Sequence, residues 1–190
     1  MNKVVLVGSG FSANQITDYD YKGNDWKIVA VNHGWKACPD LFDYWIRAAD
    51  FKSDRPTIKE GQVEVKKYRD DLDKYGGHKA CGYSIALCAG YWTLANLNPS
   101  IVGYLGSDMN YTPDENGHTH IYGVGLDIKK HKEPDPDRMV KRYGAGYTDY
   151  LKTIYLRLSE KAEKQNCKVY NLSKNIETRL PYERVEAQNL

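Results

Sequence analysis

No stretch of this chain approaches the roughly 18 consecutive apolar residues that a membrane-spanning helix requires. The apolar run near the N-terminus, Val4 to Val7, is too short for the core of a signal peptide, and Gly8 follows it at once. A strong excess of one charge is also missing. The net charge is +2, which does not mark a dedicated nucleic-acid binder but leaves room for a local basic patch. The cysteines show no pairing pattern: Cys38, Cys81, Cys88 and Cys167 are scattered, with no C-x-x-C. Reduced thiols in a cytoplasmic protein are the expectation. Phenylalanine is scarce, with 3 residues beside 16 tyrosines. Tyrosine joins an apolar body to a polar tip, so these rings serve a wet-edged core or a polar ligand site equally well.

What is present reads as a folded α/β chain. The 190 residues are enough for one domain with a full core, and two independent domains would each be marginal. Strands are expected at Lys3–Val7, Trp26–Val31, Leu41–Arg47, Ile101–Gly106 and Lys168–Asn171, with an edge strand over Gln62–Tyr68. A short helix capped by Ser12 should run to Thr17, and a buried helix should span Gly82–Asn96. Tyr147, Tyr150, Leu151, Ile154, Tyr155, Leu158 and Ala162 recur at helical spacing, opposite Lys152, Arg157, Glu160, Lys161 and Lys164. Between them lies a long polar segment, 107–146, and a connection that long is either a functional loop or lid or a disordered segment. Strands alternating with helices predict a mostly parallel, Rossmann-like sheet with helices on both faces, in a single domain over 1–190.

Ligands in such sheets bind beyond the carboxyl ends of the strands. Gly8–Ser12, Asn32–His33, Ala48–Asp50, Ser107–Tyr111 and Asn171–Ser173 all follow strands and should gather on one edge. Gly8-Ser9-Gly10-Phe11-Ser12 lets backbone approach a phosphate closely at a helix N-terminus, or it is simply a tight strand-to-helix turn. A dinucleotide fingerprint would place an acid at position 32 and a third glycine at position 13; Asn32 and Ala13 stand there, which argues against NAD. Asp108 could bind a ribose hydroxyl, orient a ligand or close its own turn. His118 and His120 lie at i, i+2 and would face the same way on an extended segment. They are candidates for acid–base chemistry, for ligand contact, or for two solvent-facing positions. A metal set with Asp108 and His131 has no spacing that identifies zinc.

Four blocks carry a family resemblance. They are Val4–Ser12, Val31-Asn32, Cys81-Gly82 with the following helix through Gly106-Ser107-Asp108-Met109-Asn110, and Val169–Ser173. In this order they resemble the bacterial sialyltransferases of glycosyltransferase family 42 and, more distantly, the archaeal-type hydroxymethylpterin pyrophosphokinases. The match covers about half of the chain. The resemblance implies a Rossmann-like fold and a metal-independent transfer from a nucleotide sugar, with a cytidine monophosphate-linked sugar as the family's donor type. Gly8, Ser9, Gly10, Ser12, Asn32, Cys81 and Gly82 would then hold the nucleotide. Asn110, Asn171 and Ser173 would stand beside it, and Tyr111 and Tyr122 would stabilise the departing phosphate. His120 or His118, with Asp108 nearby, would handle the proton. Ser9, Phe11 and Cys81 depart from the family's Asn, Pro and Ser.

The implied activity is thus a glycosyltransferase needing no cofactor beyond its donor. The acceptor is open: a saccharide, a small molecule or a nucleic-acid base. A pyrophosphokinase or other phosphoryl transferase needing Mg²⁺, a non-catalytic nucleotide-binding module and a metal hydrolase are the competing classes. A homo-oligomer is compatible with the sequence.

Overall fold

A computed structural model describes residues 1–48, 51, 54–77, 81–82, 84–110, 113–123, 147–174 and 176–190, with 147–150 as backbone only. Six strands form one sheet, all pairs parallel: β1 (Lys3–Val7), β2 (Trp26–Val31), β3 (Tyr44–Ile46), β4 (Val63–Val65), β5 (Ile101–Leu105) and β6 (Lys168–Asn171). Their order is β4-β3-β2-β1-β5-β6. The chain walks outward from β1 to β4, returns to the other side of β1 and walks outward again. That reversal puts the topological switch point between the carboxyl ends of β1 and β5, where sheets of this kind open a crevice. The predicted α/β, Rossmann-like parallel sheet is what the structure shows.

The central strands are buried on both faces, which is why they read as unbroken β-branched runs rather than alternating ones. Val4 to Val7, Ile28 to Val31 and Ile101 to Leu105 are all buried. Two cores flank the sheet. One packs Val4, Leu6, Val102 and Tyr104 against α1 (Ile85–Asn96) and α2 (Tyr147–Glu163). The other packs Val5, Val7, Ile28 and Leu105 against Ala13, Ile16, Phe42 and Phe51. In α2 the buried residues include Ile154, Tyr155, Leu158 and Ala162, while Lys152, Arg157 and Glu160 are exposed, as the 3.6-residue period requires.

Four local expectations change. The edge strand shrinks from Gln62–Tyr68 to Val63–Val65, while the short helix after β1 is found as a 3-10 helix, Phe11–Thr17. Its N-cap is Gly10, with no side-chain cap; the Ser12 hydroxyl is spent elsewhere. The third strand shrinks to Tyr44–Ile46, because Leu41 and Phe42 turn back on the Cys38 carbonyl. The buried helix begins at Ile85, because Gly82 stands at φ +55°, in the left-handed region that a right-handed helix cannot contain.

Candidate functional site

The site is built where β1 and β5 end. Gly8 N–H donates to the Leu105 carbonyl at 2.8 Å and Gly10 N–H to the Gly106 carbonyl at 2.7 Å, so the two turns lie back to back. This approach is what demands glycine. A Cβ on Gly8 would collide with the Gly106 carbonyl, and one on Gly10 would stand 2.5 Å from Asp108 Oδ2. Gly106 itself sits at φ +66°, with its missing Cβ 2.6 Å from the Gly8 oxygen.

Asp108 reaches from the β5 turn into the β1 turn and is buried there. Its Oδ2 accepts from Ser12 N–H at 3.0 Å and its Oδ1 from the Ser12 hydroxyl. Ser12 Oγ in turn accepts from Gly106 N–H at 2.7 Å. Burial raises the Asp108 pKa above the usual carboxylate range, and the two Ser12 hydrogen bonds oppose that rise. The carboxylate does not close its own turn: it ties the β5 turn to the β1 turn through Ser12. It occupies the switch-point crevice and takes one of the N–H groups that a phosphate would otherwise use. Among the described residues, Ser9 N–H and Phe11 N–H form no hydrogen bond, and they remain as donors at this edge.

The second half of the edge is made by β2, β3 and the 113–123 loop. Asn32, at φ +49°, ties two strand ends together. Its Oδ1 accepts from Ala48 N–H at 2.9 Å and its carbonyl from Trp45 Nε1 at 2.8 Å. Asparagine is favoured in that left-handed conformation. Directly after it comes His33, buried, packed on Phe51 at a centroid distance of 4.5 Å and on Tyr122 at 4.0 Å. His120 also stacks on Tyr122, at a centroid distance of 5.2 Å with 29° between the ring planes. Tyr122 therefore joins two imidazoles. The loop that carries it is fixed by Ile121 N–H donating to the Ser9 carbonyl at 3.1 Å, which places it over the glycine turn. Thr119, buried, has its hydroxyl 3.0 Å from His120 Nδ1 and orients that ring.

His33 Nε2 stands 3.6 Å from Asp54 Oδ2, and Asp54 also pairs with Lys36. Burial lowers the His33 pKa below 6.5, with Asp54 pulling it up and Lys36 pushing it down. A base whose folded pKa is depressed binds fewer protons folded than unfolded, so stability falls as pH drops through the window below 6.5. Thermal melts at pH 5.5 and 7.5 should show a lower midpoint at the acid end. His33→Phe, which keeps the ring stack but cannot titrate, should shrink that difference; an unchanged difference would remove His33 as its source.

The remaining predicted residues fall as follows. Asn171 and Ser173 do reach the carboxyl edge, but they bond each other: Asn171 Oδ1 accepts from Ser173 N–H at 3.0 Å and from its hydroxyl at 2.8 Å. The next residue is locked to the glycine-turn segment, since Gln15 and Lys174 exchange two hydrogen bonds of 2.7 Å. Asn110 Nδ2 approaches the Glu177 carbonyl at 3.5 Å. Cys81 is buried in the core cluster that includes α1, on the face of the sheet opposite Ala13. Its pKa is lowered by a hydrogen bond from Cys88, against the effect of burial. His118 is exposed and faces Asp114, with Nδ1 3.8 Å from Oδ2. Among the described residues no three His, Cys, Asp or Glu side chains form a metal-ligand set. Tyr111 and His131 lie outside the described residues, as does most of the 107–146 loop.

Sequence reasoning placed His33 on the edge but gave it no role. Its partners come from positions 51, 54 and 122, and no local spacing announces them. No helix among the described residues is long and apolar enough to cross a membrane. No protein-family model, curated protein or solved structure matches this chain.

Proposed function

We propose that this protein is a nucleotide-sugar-dependent transferase, sialyltransferase-like and metal-independent, with its donor bound at the carboxyl edge. One observation carries the reading: two imidazoles, His33 and His120, converge on Tyr122, on a loop hydrogen-bonded to Ser9 of the glycine turn. Imidazole titrates near neutrality and suits a proton transfer that must run both ways. In the proposed reaction an acceptor hydroxyl attacks the anomeric carbon of the donor sugar and its proton passes to His120 or His33. The bond from that carbon to the phosphate oxygen breaks, and the nucleotide leaves with the electron pair. Ser9 N–H, Phe11 N–H and the Tyr122 hydroxyl would stabilise the charge on the departing phosphate. A cytidine monophosphate-linked sugar is the donor that the family resemblance suggests.

A phosphoryl transferase would need Mg²⁺ on a carboxylate such as Asp108. Both oxygens of Asp108 take donors from Ser12, so the ion would have to displace them. A non-catalytic binding module would share the site but not the proton chemistry. The test is a thermal-shift panel of cytidine, uridine, guanosine and adenosine nucleotides and their sugar conjugates, followed by an assay for nucleotide release. One base class should stabilise the fold, and His120→Ala should slow release by about a hundredfold or more while leaving binding nearly unchanged. No shift with any member of the panel would overturn the reading. Tight binding with no release from any sugar conjugate would make the protein a binding module.

A further inference from the structure

A second concavity lies away from the carboxyl edge, where the chain returns from the 3-10 segment to β2. It has a volume of about 350 Å³ and a floor of Ile16, Ile28 and Leu41. Asp18, Tyr19 and Tyr21 stand along its wall. That volume is at the small end of the range for ligand sites, about 300–1,000 Å³.

The wall has an unusual balance of spent and unspent groups. Tyr21 is only 4% exposed, and its hydroxyl, which has no hydrogen-bond partner among the described residues, is not among the fully buried polar atoms and so reaches the surface. Burial, then Tyr19, then Asp18 raise its pKa, so the hydroxyl keeps its proton and stays a donor and acceptor. The Tyr19 and Tyr21 rings are fixed edge to face at 5.0 Å, and Tyr21 is braced from behind by Trp26 at 5.4 Å. Asp20 uses Oδ1 on Gly23 N–H at 2.9 Å. Neither Asp18 nor Asp20 has an ion-pair partner among the described residues. The cation on this rim, Lys22, is drawn away by Asp43 at 2.5 Å. The concavity thus combines an apolar floor, aromatic walls, an unpartnered hydroxyl on an otherwise buried ring and uncompensated negative charge.

We propose that this concavity is a binding site for a small organic cation with an apolar body, of the primary alkylammonium class. The alkyl chain would lie on Ile16, Ile28 and Leu41. The ammonium group would meet the Asp18 carboxylate and the Tyr21 hydroxyl, with the Tyr19 ring contributing cation–π attraction. An anion would meet the uncompensated carboxylates, and a neutral alcohol would gain the floor but not the charge. The site stands apart from the proposed donor edge, so either can fail without the other.

The full chain, labelled with ¹⁵N, should be titrated with n-pentylammonium chloride and with n-pentanol at matched ionic strength. Saturable amide shifts confined to residues 16–22, 28 and 41 are expected with the ammonium, at least tenfold tighter than with the alcohol. Asp18→Asn should weaken the ammonium about threefold to fivefold and leave the alcohol unchanged. Tyr21→Phe should weaken the ammonium alone, with thermal melts confirming that both variants fold. Equal response to the two probes, shifts spread over the surface, or unchanged ammonium affinity in both variants would overturn the proposal. If a variant does not fold, the wild-type comparison of ammonium with alcohol decides.

Discussion

Gly34→Ala is expected to destabilise this protein by about 3 kcal/mol or more. Gly34 follows His33 in the short 3-10 segment Asn32–Ala37, which passes across the end of β1. A Cβ there would overlap the Val7 carbonyl oxygen and stand 2.6 Å from the Gly8 oxygen. Both obstacles are backbone, and neither belongs to a flexible side chain that could swing aside. Val7 is held in the sheet between Ala30 and Leu105. Gly8 is held by its hydrogen bond to Leu105. The added methyl must therefore shift either the Asn32–Ala37 segment or the end of the central strand. Close-packed interiors relax poorly under such insertions. Urea unfolding is the measurement, with Gly61→Ala as a control, since open space surrounds that position even though its φ of +81° strains any side chain. A Gly34→Ala midpoint no lower than that of Gly61→Ala would refute the account. The same shift would carry His33 away from Tyr122, so loss of fold and loss of the proposed site should appear together.

The elements that sequence reasoning located are those whose cause is local. β1, β2 and β5 are buried on both faces, so each appears as an apolar, β-branched run regardless of its neighbours in space. α2 shows itself because one stripe of it is buried and the other solvated. The glycine turn was legible as a turn, but its reason was not. Gly8 answers to the Gly106 carbonyl, nearly a hundred positions away along the chain, and no phosphate is needed to explain it. The same distance in sequence hid the role of Asp108, whose partner is Ser12. His33 was the costliest omission. Its identity as a buried ring in a stack depends on Phe51, Asp54 and Tyr122, which three separate segments bring together. Cys81, which the family motif puts at the donor site, packs in the core cluster on the other face of the sheet from Ala13.

Asp108→Ala is expected to cost about 2–3 kcal/mol, and Ser12→Ala a similar amount, because each leaves buried polar groups without partners. Without Asp108, the Ser12 N–H and hydroxyl lose their acceptors; without the Ser12 hydroxyl, Gly106 N–H loses its own. The three groups form one chain across the switch point, so the double variant should cost clearly less than the two single losses added together. Additive costs would show that the residues act separately. The pH dependence gives an independent check. The Asp108 pKa is raised when folded, so the native state holds this proton more tightly than the unfolded chain does. Its contribution is fully present below the unfolded value of about 3.8 and is lost as pH rises through the raised one. Compared with Asp108→Asn, which cannot titrate, the wild type should therefore lose relative stability as pH rises through that window. This sign is opposite to that of a salt-bridged carboxylate. A relative gain over the same range would mean that the Ser12 bonds outweigh burial, and that the carboxylate is the preferred form in the clamp.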